Sequence, residues 1–295
     1  MKKILITGAN SYIGTAVEKW LQKSEDAYLV DTVDMIDGTW RKKSFASYDV
    51  VYHVAGIAHA DVGNVSEDTK AFYYKINTEL AVETAEKAKT DGVKQFIFMS
   101  SMIIYGESGG FGQQKMIGKD TKPQPANFYG DSKWQADCKI QELNDDNFKV
   151  AIVRPPMIYG KGSKGNYPTL AKMAKTFPLF PNIHNQRSML YIDNLCEFIL
   201  LIIKNEDEGI FFPQNKDYSE TSRLVKMIGD SVGQKVTLTS ILNPVVWLAA
   251  KVPGKISSLV NKAFGNLTYD KEISMYTKGE YQIVSLEESV RRTEH

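Results

Sequence analysis

Several features that mark other protein classes are scarce in this chain of 295 residues. Its two cysteines, Cys138 and Cys196, are too few for a disulfide framework and lack the paired spacing of a zinc site. The four histidines are scattered, so we expect no metal site. The formal net charge of +1 gives no electrostatic reason to expect nucleic acid or an anionic membrane as a partner.

Long hydrophobic runs are also missing. No stretch approaches the ~20 consecutive apolar residues that a membrane-spanning helix needs. The basic start is followed by an apolar run that stops at Thr7 and Gly8, which is too short for a signal peptide. With 43% hydrophobic and 24% charged residues, the composition is that of an ordinary globular protein. We therefore expect a cytoplasmic protein without a membrane span.

The first 35 or so residues have the pattern of a dinucleotide-binding unit. Residues 2–7 predict a short buried strand, residues 8–14 (GANSYIG) a glycine turn, and the residues up to about Ser24 a helix. Glycines in such a turn let the backbone approach a pyrophosphate, which lies on the N–H groups of the helix N-terminus. An acid about 20 residues further on can bind the adenosine ribose. Asp31 and Asp34 both fit this role, and the choice between them is open.

Strands and helices then alternate up to about residue 153. Strands are predicted at 27–33, 49–54, 94–100 and 148–153, with a long helix from Ser66, its N-cap, to about Thr90. This alternation predicts an α/β protein with a Rossmann-type, doubly wound parallel sheet. Ligands bind such sheets beyond the carboxyl ends of the strands. Four candidate residues lie at predicted strand ends, namely Asp31, Gly56, Ser101 and Pro155.

Tyr129 and Lys133 form the clearest candidate for chemistry. Four residues apart on a helix, they share a face and can point into one pocket. A tyrosine has an unperturbed pKa of about 10, and a fixed positive charge nearby favours the phenolate. The pair thus predicts a base that takes a proton from a hydroxyl near neutral pH, with Ser101 able to hydrogen-bond the same oxygen.

After Pro156 the pattern changes, and we expect a smaller, mostly helical substrate-binding lobe. We place the domains at 1–155 and 156–295, with chain crossovers possible between them. Helices are predicted at 167–176, 194–205, 219–231 and 285–293, with Ser219 as the candidate cap of the third. The apolar segment 241–264 is interrupted by Pro253 and Gly254. We expect it to be a helical cap packed on the core, with a membrane-surface role as the alternative.

Several stretches together resemble the extended short-chain dehydrogenases/reductases, in the NAD-dependent nucleotide-sugar epimerase/dehydratase family that includes UDP-glucose 4-epimerase. The resemblance covers residues 1–200 well and is weak beyond them. The stretches that carry it are residues 7–14 (TGANSYIG), 53–56 (HVAG), Asn77, 100–106 (SSMIIYG), Tyr129 with Lys133, and 154–160 (RPPMIYG).

The resemblance implies NAD as cofactor and a role for each matching residue. Tyr129 would be the acid and base, Lys133 would bind the nicotinamide ribose and lower the pKa of Tyr129, and Ser101 would orient the substrate hydroxyl. The implied NAD contacts are Gly8, Asn10, Ser11, Tyr12, Ile13, Gly14, Asp31, Asp34, Val54, Ala55, Gly56, Asn77, Ser100, Tyr129, Lys133 and Pro155. The implied substrate contacts are Ser101, Met102, Met157, Asn166 and Arg187, the arginine holding the nucleotide diphosphate with its bidentate fork.

The sequence departs from the family pattern near the cofactor. Ser11 stands where the middle glycine of the fingerprint is usual; it fits if its φ is negative and is strained if it is left-handed. Only 18 residues lie between Asp31 and Val50, where the family has a helix and a third strand. We expect this corner of the sheet to be trimmed, and Asp34 to take the place of the acid that contacts the adenosine.

Two further departures bear on the reaction. Dehydratases of the family carry an acid pair directly after the residue that matches Ser101, whereas this chain has Met102 and Ile103 there. No acid or base is available at those positions to expel water, which argues against a dehydratase. Met157 stands where many relatives have a phosphate-contacting asparagine.

The resemblance favours a nucleotide-sugar 4-epimerase that acts on a UDP-hexose or UDP-N-acetylhexosamine through a transient 4-keto sugar. The alternatives are an NAD(P)H-dependent reductase of a 4-keto nucleotide sugar and a dinucleotide-binding regulator without turnover. Residues 41–43 (RKK) keep a 2′-phosphate site open, although a solvated surface run is the preferred interpretation. By resemblance we also expect a homodimer that pairs through helices around 67–90 and 128–143.

Overall fold

A computed structural model describes residues 1–24, 26–58 and 65–295 of the protein. The strands are β1 (Lys2–Thr7), β2 (Tyr28–Val33), β3 (Val50–His53), β4 (Gln95–Met99), β5 (Met116–Ile117), β6 (Lys149–Val153), β7 (Met157–Tyr159), β8 (Leu179–Pro181), β9 (Met189–Tyr191), β10 (Gly209–Phe211), β11 (Thr237–Thr239) and β12 (Thr268–Tyr269). The helices are α1 (Tyr12–Leu21), α2 (Glu67–Tyr74), α3 (Leu80–Thr90), α4 (Phe128–Gln141), α5 (Asn166–Thr176), α6 (Ile192–Asn205), α7 (Thr221–Ser231), α8 (Asn243–Lys251), α9 (Lys255–Phe264) and α10 (Leu286–Glu294).

The main sheet has six parallel strands in the order β10-β6-β4-β3-β1-β2. Side chains alternate between its faces, so Ile4 and Ile6 join the core cluster that contains α1 and α6. Leu5, between them, joins the opposite cluster, which contains α3 and α4. Because both faces are buried under helices, the strands are apolar throughout, and the predicted doubly wound fold is confirmed.

The corner of the sheet beyond β2 is short, as predicted. Within residues 34–49, all of which the structure describes, the only regular element is a 3₁₀ turn at Thr39–Lys42. Trp40 and Phe45 are almost completely buried there, with ring centroids 6.5 Å apart. They fill the space beside β2, which forms the edge of the sheet.

The long helix predicted from Ser66 is present, but it is not a regular α-helix. Ser66 caps it as expected, its hydroxyl accepting a hydrogen bond from Thr69 N at 3.2 Å. A π-helical turn at Lys75–Glu79 separates α2 from α3. Such a turn inserts an extra residue into a helix and often occurs at functional sites. Asn77, one of the implied cofactor contacts, lies in this turn.

The C-terminal half contributes a strand to the main sheet. Strand β10 pairs with β6 as the last strand of the main sheet, and α6 packs against α1. The remaining strands form three parallel pairs, β7 with β9, β8 with β11, and β5 with β12. The chain thus crosses back after residue 155, and the boundary placed there stays a prediction.

One predicted helix cap is wrong. Helix α7 begins at Thr221, with Glu220 as its N-cap residue and no capping side chain. Ser219 instead directs its hydroxyl to the sulfur of Met189 at 2.9 Å. Its backbone pairs with Arg187, which fixes Ser219 in extended structure before the helix begins.

Segment 241–264 is helical and packs on the core, as expected, but it does so through one face only. The segment folds as two helices, α8 and α9, which we call the α8–α9 hairpin. Its inner face, including Val246, Val260 and Phe264, packs on the core. None of the residues of α8 is buried, however, and the outer face of the hairpin is exposed with respect to the described part of the chain. Among the described residues, the helices are all too short or too polar to cross a membrane.

Candidate active site

The glycine turn between β1 and α1 brings two backbone segments together. Gly8 has a φ of +85°, and a Cβ atom on it would lie 3.0 Å from the backbone of Ala55. Ser11 has a φ of −71°, and its hydroxyl accepts a hydrogen bond from Gly14 N at 3.1 Å. The serine therefore fits without strain and caps the helix. The left-handed residue is instead Asn10, with a φ of 63°, a conformation that asparagine tolerates.

This turn fits a pyrophosphate. A Cβ atom at Gly14 would lie 2.6 Å from the Ser11 hydroxyl oxygen, so only glycine leaves the first turn of α1 open. Tyr12 and Ile13 follow as the first residues of the helix, whose N–H groups at this end lack intrahelical partners. Val54 packs against the turn from the end of β3. The predicted pyrophosphate contacts therefore lie around one helix N-terminus.

The two candidate acids for the ribose, Asp31 and Asp34, have different surroundings. Asp31 lies within β2, and its carboxylate accepts a hydrogen bond from the Tyr48 hydroxyl at 2.7 Å. Asp34 directly follows Val33, whose carbonyl accepts hydrogen bonds from Gly8 N and Ala9 N. Asp34 is thus at the glycine turn, and we favour it over Asp31 as the ribose contact.

The basic run after β2 is not a free phosphate site. Arg41 donates two hydrogen bonds to the carboxylate of Glu83, both at 2.5 Å, and stacks over Trp40. Lys43 lies over the ring of Tyr48. Two of the three basic side chains in residues 41–43 thus already have partners within the protein. This is consistent with NAD, which has no 2′-phosphate.

Asn77 forms hydrogen bonds to the loop after β3 and to helix α4. Its side-chain oxygen accepts from Ile57 N at 2.8 Å, and its nitrogen donates to Ile57 O and to the Ser132 hydroxyl. A Cβ atom at Gly56 would lie 3.1 Å from both Asn77 Oδ1 and Lys133 Nζ. Gly56 thus keeps a narrow space open beside the lysine. Residues 59–64, further along this loop, lie outside the described part of the chain.

Tyr129 and Ser101 meet at the carboxyl end of β4. Tyr129 is in the first turn of α4, which Asn127 caps by accepting from Gly130 N at 3.0 Å. Burial raises the pKa of the Tyr129 phenol to about 12, while the Ser101 hydroxyl acts in the opposite direction. The phenol is therefore neutral at neutral pH in the protein alone.

Lys133 does not lower the pKa of Tyr129 here, so that expectation is wrong for the unliganded protein. Its ammonium group donates to the carbonyl of Met99 at 3.0 Å and lies over the Phe98 ring. Burial lowers the pKa of Lys133 itself to about 8, with Asp137 acting against this effect. Desolvation, which disfavours both charged forms, outweighs the attraction that the sequence suggested.

A buried ionic network supports this site, and the sequence analysis missed it. Arg154 makes two hydrogen bonds to the carboxylate of Asp137, at 2.7 and 3.0 Å, and a third to the Tyr105 hydroxyl. Ser100, an implied cofactor contact, donates its hydroxyl to the same carboxylate. Asp137 lies four residues after Lys133 on the face of α4 that carries Tyr129, and this spacing was the available signal.

The implied substrate contacts are spread over several elements. Met102 is buried in a small apolar cluster, its N–H bound to the carbonyl of Pro155, whereas Ile103 is partly exposed. Met157 is partly buried in β7, and Asn166 is exposed at the first position of α5. Arg187 donates to the carbonyls of Lys262 and Gly265 at the C-terminal end of α9, at 2.9 and 3.0 Å.

The sequence of the chain matches a known protein family. The sequence model of the NAD dependent epimerase/dehydratase family matches residues 4–218. The chain belongs to this family. It is thus of the extended short-chain dehydrogenase/reductase type, and NAD is the cofactor.

Relatives of known activity extend along the whole chain. The UDP-glucose 4-epimerase of Vibrio cholerae is 28% identical, over 99% of this chain and 94% of that protein. The N-acetyl-α-D-glucosaminyl-diphospho-ditrans,octacis-undecaprenol 4-epimerase of Escherichia coli O157:H7 is 25% identical, over 98% and 93%. Among solved structures, UDP-glucuronic acid 4-epimerase from Bacillus cereus with NAD has a TM-score of 0.72 at 18% identity, covering 98% of this chain and 96% of that one. The last comparison supports the fold.

Proposed function

We propose that the protein is an NAD-dependent 4-epimerase of a UDP-hexose or UDP-N-acetylhexosamine, working through a transient 4-keto sugar. One observation carries the proposal. Helix α4 brings Tyr129 and Lys133 to the end of β4, where Ser101 and the open space at Gly56 lie beside the glycine turn. A phenol, a hydroxyl and an ammonium group around a dinucleotide site are the set that reversible oxidation of an alcohol requires.

Each group in this set has one task. Ser101 orients the 4-hydroxyl of the sugar, and Tyr129, in its ionised form, accepts the hydroxyl proton as the carbonyl forms at C4. NAD held by the glycine turn and Lys133 would supply reversible hydride transfer at C4, so no outside oxidant would be consumed. Lys133 would hold the ribose of the cofactor. Once the keto sugar has rotated to present its opposite face, Tyr129 returns the proton to the C4 oxygen.

The residues after Ser101 support an epimerase over a dehydratase. Loss of water from the sugar needs an acid and a base beside the carbon that loses its hydroxyl. Met102 and Ile103 occupy the positions where such a pair would stand, and Met102 is buried in an apolar cluster. Neither side chain can transfer a proton.

In the substrates named for the two 4-epimerases compared above, the sugar is joined to a diphosphate, which carries uridine in one and a polyprenol in the other. We place this diphosphate at Arg187, which the fold holds at the end of α9. A guanidinium binds phosphate oxygens in a bidentate manner, and binding there supplies energy remote from the reacting carbon.

The test uses the purified full-length protein without added cofactor. It is incubated separately with UDP-glucose, UDP-N-acetylglucosamine and polyprenyl-diphospho-N-acetylglucosamine, and the C4 epimers are separated by chromatography. Interconversion in the first or second reaction, with dinucleotide released on denaturation, supports the proposal. Conversion of the polyprenyl compound alone contradicts the UDP-sugar assignment but keeps the epimerase. Consumption of added NADH with a 4-keto nucleotide sugar, without epimer formation, shows a reductase instead.

A further inference from the structure

The outer face of the α8–α9 hairpin exposes more large apolar side chains than a solvated helix pair needs. Seven of them are between 42% and 86% exposed, namely Ile241, Val245, Trp247, Leu248, Val252, Ile256 and Leu259. Val245 and Leu248 lie three residues apart in α8 and share a face, with Ile241 in the turn before the helix and Val252 directly after it; we call these four exposed residues the apolar stripe. A contiguous apolar patch of this kind marks an interaction site.

The charge around this stripe has one sign. From Ser231 to Tyr269 the sequence has no aspartate or glutamate, whereas Lys235, Lys251, Lys255 and Lys262 are all present and exposed. None of these four lysines forms an ion pair with a carboxylate in the described part of the chain. Lys251 instead lies 3.5 Å from the ring centroid of Trp247. The small net charge of the whole chain hides this local concentration.

This combination fits an anionic lipid surface. Interfacial helices place Leu, Val and Trp in the headgroup region and keep lysines beside them for the lipid phosphates. Tryptophan is favoured at this depth because its ring is apolar and its N–H polar. A second copy of the same face fits poorly, because a twofold contact would oppose lysines with lysines and provide no acid to pair with them.

We propose that the α8–α9 hairpin docks the protein on the surface of an anionic bilayer, lying in the interface without crossing it. The hairpin is fixed to the body at its inner side. Asn261 accepts from Phe111 N at 2.9 Å, and Arg187 binds the carbonyl of Lys262. Docking thus orients the loop after Ser101 and the end of α9 relative to the lipid. The proposal holds for any activity of the site, because it depends only on the hairpin.

The experiment measures co-sedimentation of the full chain with vesicles. Vesicles of phosphatidylglycerol mixed with phosphatidylethanolamine are compared with vesicles of phosphatidylcholine alone. We expect binding to the anionic vesicles that weakens at high salt, with a shift of the tryptophan emission to shorter wavelength. Lys251→Gln and Lys255→Gln should each reduce the binding constant about fivefold.

The matched variants replace two exposed apolar residues by glutamate. Leu248→Glu with Leu259→Glu, at positions 62% and 66% exposed, should abolish sedimentation. Met275→Glu with Ile283→Glu, at positions 71% and 48% exposed elsewhere, should leave it unchanged. Circular dichroism and the thermal midpoint check that both double variants fold.

Three results would overturn the proposal. The first is no sedimentation of the unaltered chain with anionic vesicles. The second is equal sedimentation of both double variants. The third is an oligomer that Leu248→Glu with Leu259→Glu reduces to monomers in the absence of vesicle binding, which would assign the face to a second copy.

Discussion

At the scale of single residues, burial shifts the pKa of the acid–base group and that of its neighbour in the direction that favours their neutral forms. Burial raises the pKa of Tyr129 to about 12 and lowers that of Lys133 to about 8. Only about one phenol in 10⁵ is ionised at pH 7 with such a pKa. The base therefore has to be generated when ligands enter, and the protein alone stores no reactive phenolate.

Replacing Tyr129 by phenylalanine removes the proton acceptor and little else. We expect kcat for C4 epimerisation to fall about 10²–10⁴-fold, which is the usual contribution of a positioned acid or base. NAD and UDP-sugar affinities, measured by calorimetry, should stay within about twofold because the ring remains. Tyr73→Phe is the control, since its ring lies 6.1 Å from that of Tyr129. Equal losses in both variants would remove Tyr129 from the proton transfer.

The lowered pKa of Lys133 predicts that cofactor binding depends on pH. Its pKa in the folded protein is about 8, so the ammonium is present below this pH and is lost as the pH rises through it. If the ammonium binds the cofactor, NAD affinity of the dinucleotide-free protein should fall as the pH rises above about 8. Titration calorimetry across this range measures the effect. Lys133→Met should bind more weakly with a flat profile, and an unchanged slope would contradict the assignment.

At the scale of elements, α4 is tied to the sheet by the pair of Asp137 and Arg154. Their side chains are 0% and 5% exposed, and Arg154 carries the chain out of β6. Asp137 follows Lys133 by four residues in α4. The helix face that carries Tyr129 and Lys133 therefore also carries the ion pair with Arg154. Movement of α4 would disturb both at once.

Removing Asp137 should leave a buried and uncompensated guanidinium. We expect Asp137→Ala to lower the free energy of unfolding by about 3–5 kcal/mol, as measured by urea denaturation. Asp230→Ala is the matched control, because its partner Lys226 is an exposed neighbour on α7. That change should cost about 0.5 kcal/mol or less. Similar costs for the two variants would show that the buried pair contributes no more than a surface pair.

At the scale of the whole molecule, the homodimer implied by the family stays a prediction, and Phe72 offers a test. It is 52% exposed on α2, one of the helices expected to pair subunits. Phe72→Glu should convert a dimer into a monomer in sedimentation velocity experiments, because a charge cannot be buried there without a partner. Phe177→Glu, equally exposed at 52% after α5, should leave the dimer intact. A monomeric unaltered chain would contradict the prediction directly.

The strands were predictable where local pattern decides structure. Strand β1 was placed to the residue and β3, β4 and β6 within one residue at each end, because buried parallel strands are short apolar runs between glycine or polar turns. The π-turn around Asn77 was not predictable, since its extra residue leaves no mark on the apolar period. The predicted lowering of the pKa of Tyr129 was wrong because burial, which raises this pKa, depends on the tertiary structure. The exposure of the α8–α9 hairpin could not be predicted, and a membrane-surface role was only the alternative to a packed cap, because an apolar segment has the same sequence pattern whether it faces a core or a lipid.

The return of β10 to the main sheet has a consequence for the order in which the protein can fold during synthesis. Five of the six strands lie before residue 154, so a nascent chain of that length can already form most of the sheet. Val17 and Leu21 of α1, however, are completely buried in a cluster that α6 completes. Until residue 205 has left the ribosome, this apolar face stays open. The growing chain therefore passes through a stage in which five strands of the sheet are present but one apolar face is uncovered. We expect chaperones to bind the chain at this stage.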